Sequence, residues 1–233
     1  MSKLLLMAIL ISSVFIVQGC APAVENNSTV EEQAASLNEQ LLTAAEESDP
    51  QKIKRVLQEG ADINAQDEGG RTAAMIATYN NDLASAQILI EAGADVNIQD
   101  DMENNPFLYA GAEGYLDILK LTIEAGADPA MTNRYGGTAL IPASEHGYVD
   151  VVRELLTQTS VDVNHVNQLG WTALLEAIIL NDGNEHQQET IQLLIDHGAD
   201  VNLADSDGLS PLSHAKKKGF REIEEILLQA GAK

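Results

Sequence analysis

One cysteine, three phenylalanines, five tyrosines and one tryptophan in 233 residues leave this chain short of the side chains that many folds depend on. A single cysteine excludes an intramolecular disulfide and any multi-cysteine metal cluster. With aromatics at 4%, a core has to be built from Leu, Ile, Val and Ala, which suits tightly packed helices. Basic residues are also scarce, 13 against 36 acidic ones, for a formal charge of -23. Such a chain is repelled by nucleic acid and anionic headgroups and steers basic partners toward itself. The apolar run Leu4 to Val17 falls short of the roughly twenty residues that span a bilayer comfortably. There is no Gly-rich phosphate loop, no His-Glu-x-x-His and no Gly-x-Ser-x-Gly. The apolar fraction of 45% argues against wholesale disorder.

The amino terminus carries a basic start at Lys3, the apolar run, and then Val17-Gln18-Gly19-Cys20. This is the layout of a short secretory signal. It resembles the bacterial lipoprotein signal, in which lipid joins the cysteine thiol and cleavage exposes that cysteine. Gln18 departs from the residue commonest before the final glycine. The competing reading is an ordinary signal peptide or a buried helix that happens to contain Cys20. The resemblance implies a signal peptide over 1–19, lipidation of Cys20 (palmitate among the acyl chains), and a tether over 20–35 reaching ~40–50 Å when extended. Ala21 and Pro22 follow, with no Asp in the second mature position. By analogy this implies the outer membrane, facing the periplasm, ahead of the cytoplasmic membrane or a Gram-positive surface.

Downstream the sequence repeats. Gly60-Ala61-Asp62-Ile63-Asn64 returns as Gly93-Ala94-Asp95-Val96-Asn97, Gly126-Ala127-Asp128-Pro129, Val161-Asp162-Val163-Asn164 and Gly198-Ala199-Asp200-Val201-Asn202. A second marker keeps the same phase: Gly70-Arg71-Thr72-Ala73, Gly137-Thr138-Ala139, Gly170-Trp171-Thr172-Ala173 and Gly208-Leu209-Ser210-Pro211. In-register copies at this spacing signal a repeat architecture. The residues resemble the ankyrin repeat, and the likeness covers the domain 36–233. It implies an all-α repeat solenoid of six ankyrin-type helix pairs linked by short β-hairpin loops, in units 36–66, 67–99, 100–132, 133–166, 167–204 and 205–233. Thr72, Thr138, Thr172 and Ser210 are placed to cap first helices, with Pro106 and Pro211 at first helical positions. Glu103 stands where other units have glycine, so that hairpin is expected to be distorted. Residues 181–188 lengthen one link between helices by about four residues, cheap for a polar loop.

No catalytic constellation emerges, and neither a cofactor nor a metal is implied. His146, His165, His186, His197 and His214 lie apart in sequence and read as structural or solvent-facing. Asp182, Glu185 and His186 share a polar loop that reads as hydrated. Asp67-Glu68 and Asp100-Asp101 read as solubilising surface charge, with attraction of a basic partner as the alternative.

In ankyrin proteins, ligands usually cross the hairpin tips and the first helices on the concave side. Carried to this chain, that implies protein contacts from Met102, Tyr135, Leu169 and Trp171 beside the hairpins. Tyr79, Tyr109, Glu113, Glu145, His146 and Glu176 are the candidates from first helices. Trp171 fits packing of its own hairpin as well as recognition. The expectation is a membrane-anchored periplasmic protein-interaction module without catalysis, monomeric apart from its partner. By analogy of fold and location, two sharper roles follow. One is an immunity or inhibitor protein against a secreted antibacterial effector such as a lipase; the other is a scaffold for a periplasmic stress-defence enzyme.

Overall fold

The computed structural model describes residues 27–233. The expected signal segment and the lipidation position Cys20 lie outside the described residues. Six helix pairs follow in order: α1 (Asn27–Glu46) with α2 (Pro50–Gln58), α3 (Ala73–Tyr79) with α4 (Leu83–Glu91), and α5 (Pro106–Glu113) with α6 (Leu116–Glu124). They continue with α7 (Leu140–His146) and α8 (Val149–Gln158), α9 (Ala173–Ile179) and α10 (Glu185–Asp196), and α11 (Pro211–Lys218) and α12 (Arg221–Gln229). First helices stack on first helices and second on second, giving a two-layered all-α solenoid. The first helix begins at Asn27, within the stretch 20–35 whose composition suggests a tether.

Short helices of seven to ten residues are marginal alone, so packing must hold them. Ala77, Ala110, Ala143, Ala177 and Ala215 are all buried and let neighbouring pairs approach closely. Between α5 and α7 even alanine is too large: a Cβ on Gly111 would lie 2.8 Å from that of Ala139. Between the two layers, Leu89, Ile118, Leu119, Val152, Leu155, Leu194 and Leu227 fill one continuous core. Each such side chain contributes ~1.5–3 kcal/mol on burial, summed from neighbour to neighbour.

Side-chain caps start the first helices α3, α5, α9 and α11, but not α7. Thr72, Thr172 and Ser210 accept from the amides of Met75, Leu175 and Ser213, and Asn105 serves α5 by accepting from Leu108. Thr138 does not cap. Its hydroxyl is buried without a partner, and α7 starts one residue later than its counterparts. Pro142 is the cause. Elsewhere the amide at this position donates to the carbonyl of the capping residue, as Ile76 does to Thr72 and Glu176 to Thr172. Pro142 has no N–H to give, so Ile141 donates to the Thr138 carbonyl instead, at 3.2 Å, and is lost to the hydroxyl.

The expected β-hairpin links are not formed. Among the described residues there is no β-strand, and a single isolated antiparallel bridge, Gln66 to Thr72, is all the pairing present. The return leg is too short, because the residue that would extend it already caps the next helix. In place of ladders, an Asp or Asn folds each loop around its own side chain. Asp67, Asp100, Asn133, Asn167 and Asp205 each accept, through Oδ1, from the amides two and four residues on, at 2.8–3.1 Å. Asp67 and Asp100 are therefore turn-formers rather than free surface charges, and Asp100 is buried. The loop at Glu103 is not distorted either. Glu103 adopts φ 57°, the left-handed conformation of Gly70, Gly136, Gly170 and Gly208, and its amide donates to the Asp100 carbonyl as theirs do to their turn residues.

A second set of side chains links successive units. Asn64, Asn97, Asn164 and Asn202 accept through Oδ1 from the backbone amides of Asp95, Asp128, Asp200 and Lys233, at 2.7–2.9 Å. The repeated Gly-Ala-Asp-Val-Asn thus earns its regularity as a clip between neighbours. Ala130 occupies the Asn place in the third unit and cannot make that clip.

Candidate protein-binding site

The loops set the outermost candidate residues. Met102, Tyr135 and Leu169 each stand two positions after a turn Asp or Asn, with their amides turned inward to it. Their side chains remain in solvent, 44%, 55% and 55% exposed. Arg134 joins two of them: its guanidinium lies 4.8 Å from the centre of the Tyr135 ring, and Nη1 reaches the Met102 sulfur at 3.4 Å.

On the first helices the candidates divide. Tyr79 donates from its hydroxyl to Asp100 at 2.5 Å and accepts from Asn104 at 3.2 Å, so it braces the next unit's loop. Burial, then that hydrogen bond to Asp100, pushes its pKa up to about 12. Tyr109 stacks edge-on against Tyr79 with ring centres 4.4 Å apart, and burial, followed by the charge of Glu113, raises its pKa. His146 is exposed and lies against the Tyr148 ring, 5.3 Å between centres. Trp171 is half-buried; its carbonyl accepts from the Asn167 amide, and its own amide donates to Asn167 Oδ1 across the loop.

Four candidates meet in one cleft. Tyr135, Glu145, Leu169 and Glu176 line a cavity of about 230 Å³ between the fourth and fifth helix pairs. Ile141, Pro142, Leu180, Asn133, Gly137 and Asn167 complete it. Glu176 is only 5% exposed. Its Oε1 accepts from Asn167 Nδ2 at 2.7 Å, while Oε2 meets no donor among the described residues. Burial foremost, then the negative charge of Glu145, pushes its pKa up to about 7, against a lowering by the Asn167 amide.

The sixth unit shows why Asn stands at 167. His214, in the register position of Glu176, pairs at 2.7 Å with the turn residue Asp205. A carboxylate on the helix requires a donor in the turn, and a histidine there is matched by an acceptor.

The segment 181–188 lies outside the cleft's lining but braces Glu145, one of its walls. Its extra length is shared between a five-residue link, 180–184, and a longer second helix of twelve residues. Asn181 Nδ2 and Gln187 Nε2 both donate to the Glu145 carbonyl, at 2.5 and 2.9 Å, fixing the end of α7. Leu180, 47% exposed, forms part of the wall. Sequence reasoning missed Pro142, Asn167 and Leu180. The signal for Asn167 was available, since aligning the units places it in the column of Asp67, Asp100, Asn133 and Asp205.

His165 contacts the Gly136 carbonyl and His197 the Leu193 carbonyl, each apart from the cleft carboxylates. Asp182 folds its own loop by accepting from Asn184. Among the described residues no group of three or more His, Cys, Asp or Glu side chains is placed to hold a metal.

Comparison with known proteins gives consistent matches. A family model described as ankyrin repeats (3 copies) matches over 23–100, 41–133, 107–203 and 143–233. The putative ankyrin repeat protein YahD of Escherichia coli (strain K12) is 44% identical over 191 residues, covering 82% of this chain and 95% of that protein. A crystallised ankyrin repeat domain of Acinetobacter baumannii AYE is 56% identical with a TM-score of 0.81, covering 83% of this chain and 98% of the other. The ankyrin repeat protein EF0377 superimposes with a TM-score of 0.80 at 40% identity, over 82% of this chain and 98% of its own.

Proposed function

This chain belongs to the ankyrin repeat family of non-catalytic protein-interaction modules, and from that premise we propose that it captures a protein at an envelope membrane to which lipid on Cys20 ties it. The observation that carries the reading is the row of exposed apolar side chains at successive loop tips, Met102, Tyr135 and Leu169, running beside the acidic cleft. Aromatic and large apolar residues held on rigid backbone anchor interfaces well, because little freedom is lost on docking. The acidic composition suits a partner with a basic surface. No helix among the described residues is long and apolar enough to cross a membrane; what supports a lipid tether is the lipoprotein-like sequence that ends at Cys20.

Capture of this kind serves either to block a secreted effector or to hold a resident periplasmic enzyme. The decisive experiment is affinity capture from detergent-solubilised envelopes with wild type and with Tyr135→Asp/Leu169→Asp. A partner retained by wild type and lost by the double variant supports the reading; a partner retained equally by both overturns the proposed face. Deletion then separates the roles, since sensitivity to a rival's effector marks inhibition and a fall in a resident enzyme marks support.

A further inference from the structure

We propose that the cleft between the fourth and fifth helix pairs is a subsite for one lysine or arginine side chain of the bound protein, with Glu176 and Glu145 meeting the charged head and Tyr135, Leu169 and Leu180 the aliphatic stem. The proposal rests on the protein-capture reading above and specifies the chemistry its partner presents.

Three features of the cleft lead there. Glu176 is a nearly buried carboxylate with one oxygen held by Asn167 and the other without a donor. That second oxygen is not sealed in the core with the buried unpaired atoms, so an incoming N–H can reach it and complete its hydrogen bonding. Glu145 stands across the same space, so two like charges face a cavity that a cation would reconcile. The rest of the wall is apolar or amide: Ile141, Pro142, Leu180, Leu169 and the Tyr135 ring. A bare inorganic cation has little use for such a wall, whereas lysine and arginine lay their methylenes along apolar surface and present charge at the tip. Size agrees. About 230 Å³ lies below the ~300–1,000 Å³ usual for small-molecule pockets, and holds one long side chain.

The cleft is also held in shape before anything enters. Asn181 and Gln187 fix the carbonyl of Glu145, and the loop around Asn167 holds Glu176 from the other side. Entry of a cation favours the ionised form of Glu176, so docking releases a proton near neutral pH.

The test uses n-butylammonium and n-butylguanidinium as probes, with n-pentanol as the uncharged control, titrated into the isotopically labelled protein and followed by NMR. Saturable shifts at the amides of Asn167, Leu169, Glu176 and Leu180, with millimolar affinity for the cations and at least tenfold weaker response to pentanol, support the subsite. Glu176→Gln and Glu145→Gln should each weaken the cations at least tenfold without changing the response to pentanol. Equal binding of cation and alcohol, unchanged cation affinity in both variants, or no shifts in the cleft overturns it. These outcomes stand apart from the capture experiment. A partner lost by Tyr135→Asp/Leu169→Asp but bound equally by Glu176→Gln keeps the docking face and removes the cation subsite.

Discussion

The buried carboxylate at position 176 has a calculable effect on stability. Its pKa rises from 4.5 in the unfolded chain to about 7 in the folded protein, chiefly through burial and then through Glu145. The folded state therefore holds this proton more tightly. Its contribution is greatest below pH 4.5, falls as pH rises toward 7, and is constant beyond. The full excursion corresponds to about 3 kcal/mol. Glu176→Gln keeps an oxygen for the Asn167 amide and removes the titration. The variant should thus gain about 2.5 kcal/mol on wild type between pH 5 and pH 8. For a protein of this length that is a rise of roughly 5–10 °C in the difference between their melting temperatures. Urea unfolding followed by far-ultraviolet circular dichroism at pH 5, 6, 7 and 8 measures it. Glu145→Gln should halve the slope at most, because burial is the larger cause. A difference between wild type and Glu176→Gln that stays flat across this range would refute the argument, because it would mean that water reaches the carboxylate freely.

Other predictions concern the repeat itself. Glu103→Gly relieves a left-handed residue in a well-formed turn and should stabilise by about 1 kcal/mol, net of glycine's entropy, in the same urea assay. Asn164→Ala removes an acceptor for the Asp200 amide at 2.7 Å and a donor to the Gly198 carbonyl at 3.1 Å, and should cost about 1–2 kcal/mol. Gly183→Ala places a Cβ 2.9 Å from the Phe220 ring at φ 74°, and should cost about 2 kcal/mol, with hydrogen exchange quickening first in α10 and α12. Cys20→Ser should move the protein from the membrane to the soluble fraction on carbonate extraction, with the acyl mass lost from its amino-terminal peptide.

The helix pairs were legible because Thr72, Thr172 and Ser210, the Gly-Ala-Asp-Val-Asn copies and the small alanines each act locally, within a turn or with the next unit. What escaped the sequence depends on how one residue changes the donors available to another. Thr138 carries the right hydroxyl, yet Pro142 four residues later diverts the amide it would have received. The hairpins failed for a related reason, since the residue that would extend each return leg is already committed to capping. Glu176 was legible as a contact candidate on a first helix, but its burial follows only once α7 and α9 are packed and Asn167 is turned toward it. Three departures from the repeat lie together. Pro142 at the start of α7, Glu176 with its matched Asn167, and Leu180 at the head of the lengthened link all border the same cavity. A repeat stack that obeyed its pattern throughout would present equivalent loops and helices at every step, with nothing to fix a partner's register. Under the proposed subsite, departures that converge on one step supply that register: the row of exposed apolar tips would offer area, and the acidic cleft beside Tyr135 and Leu169 would determine where along the row a basic side chain locks in.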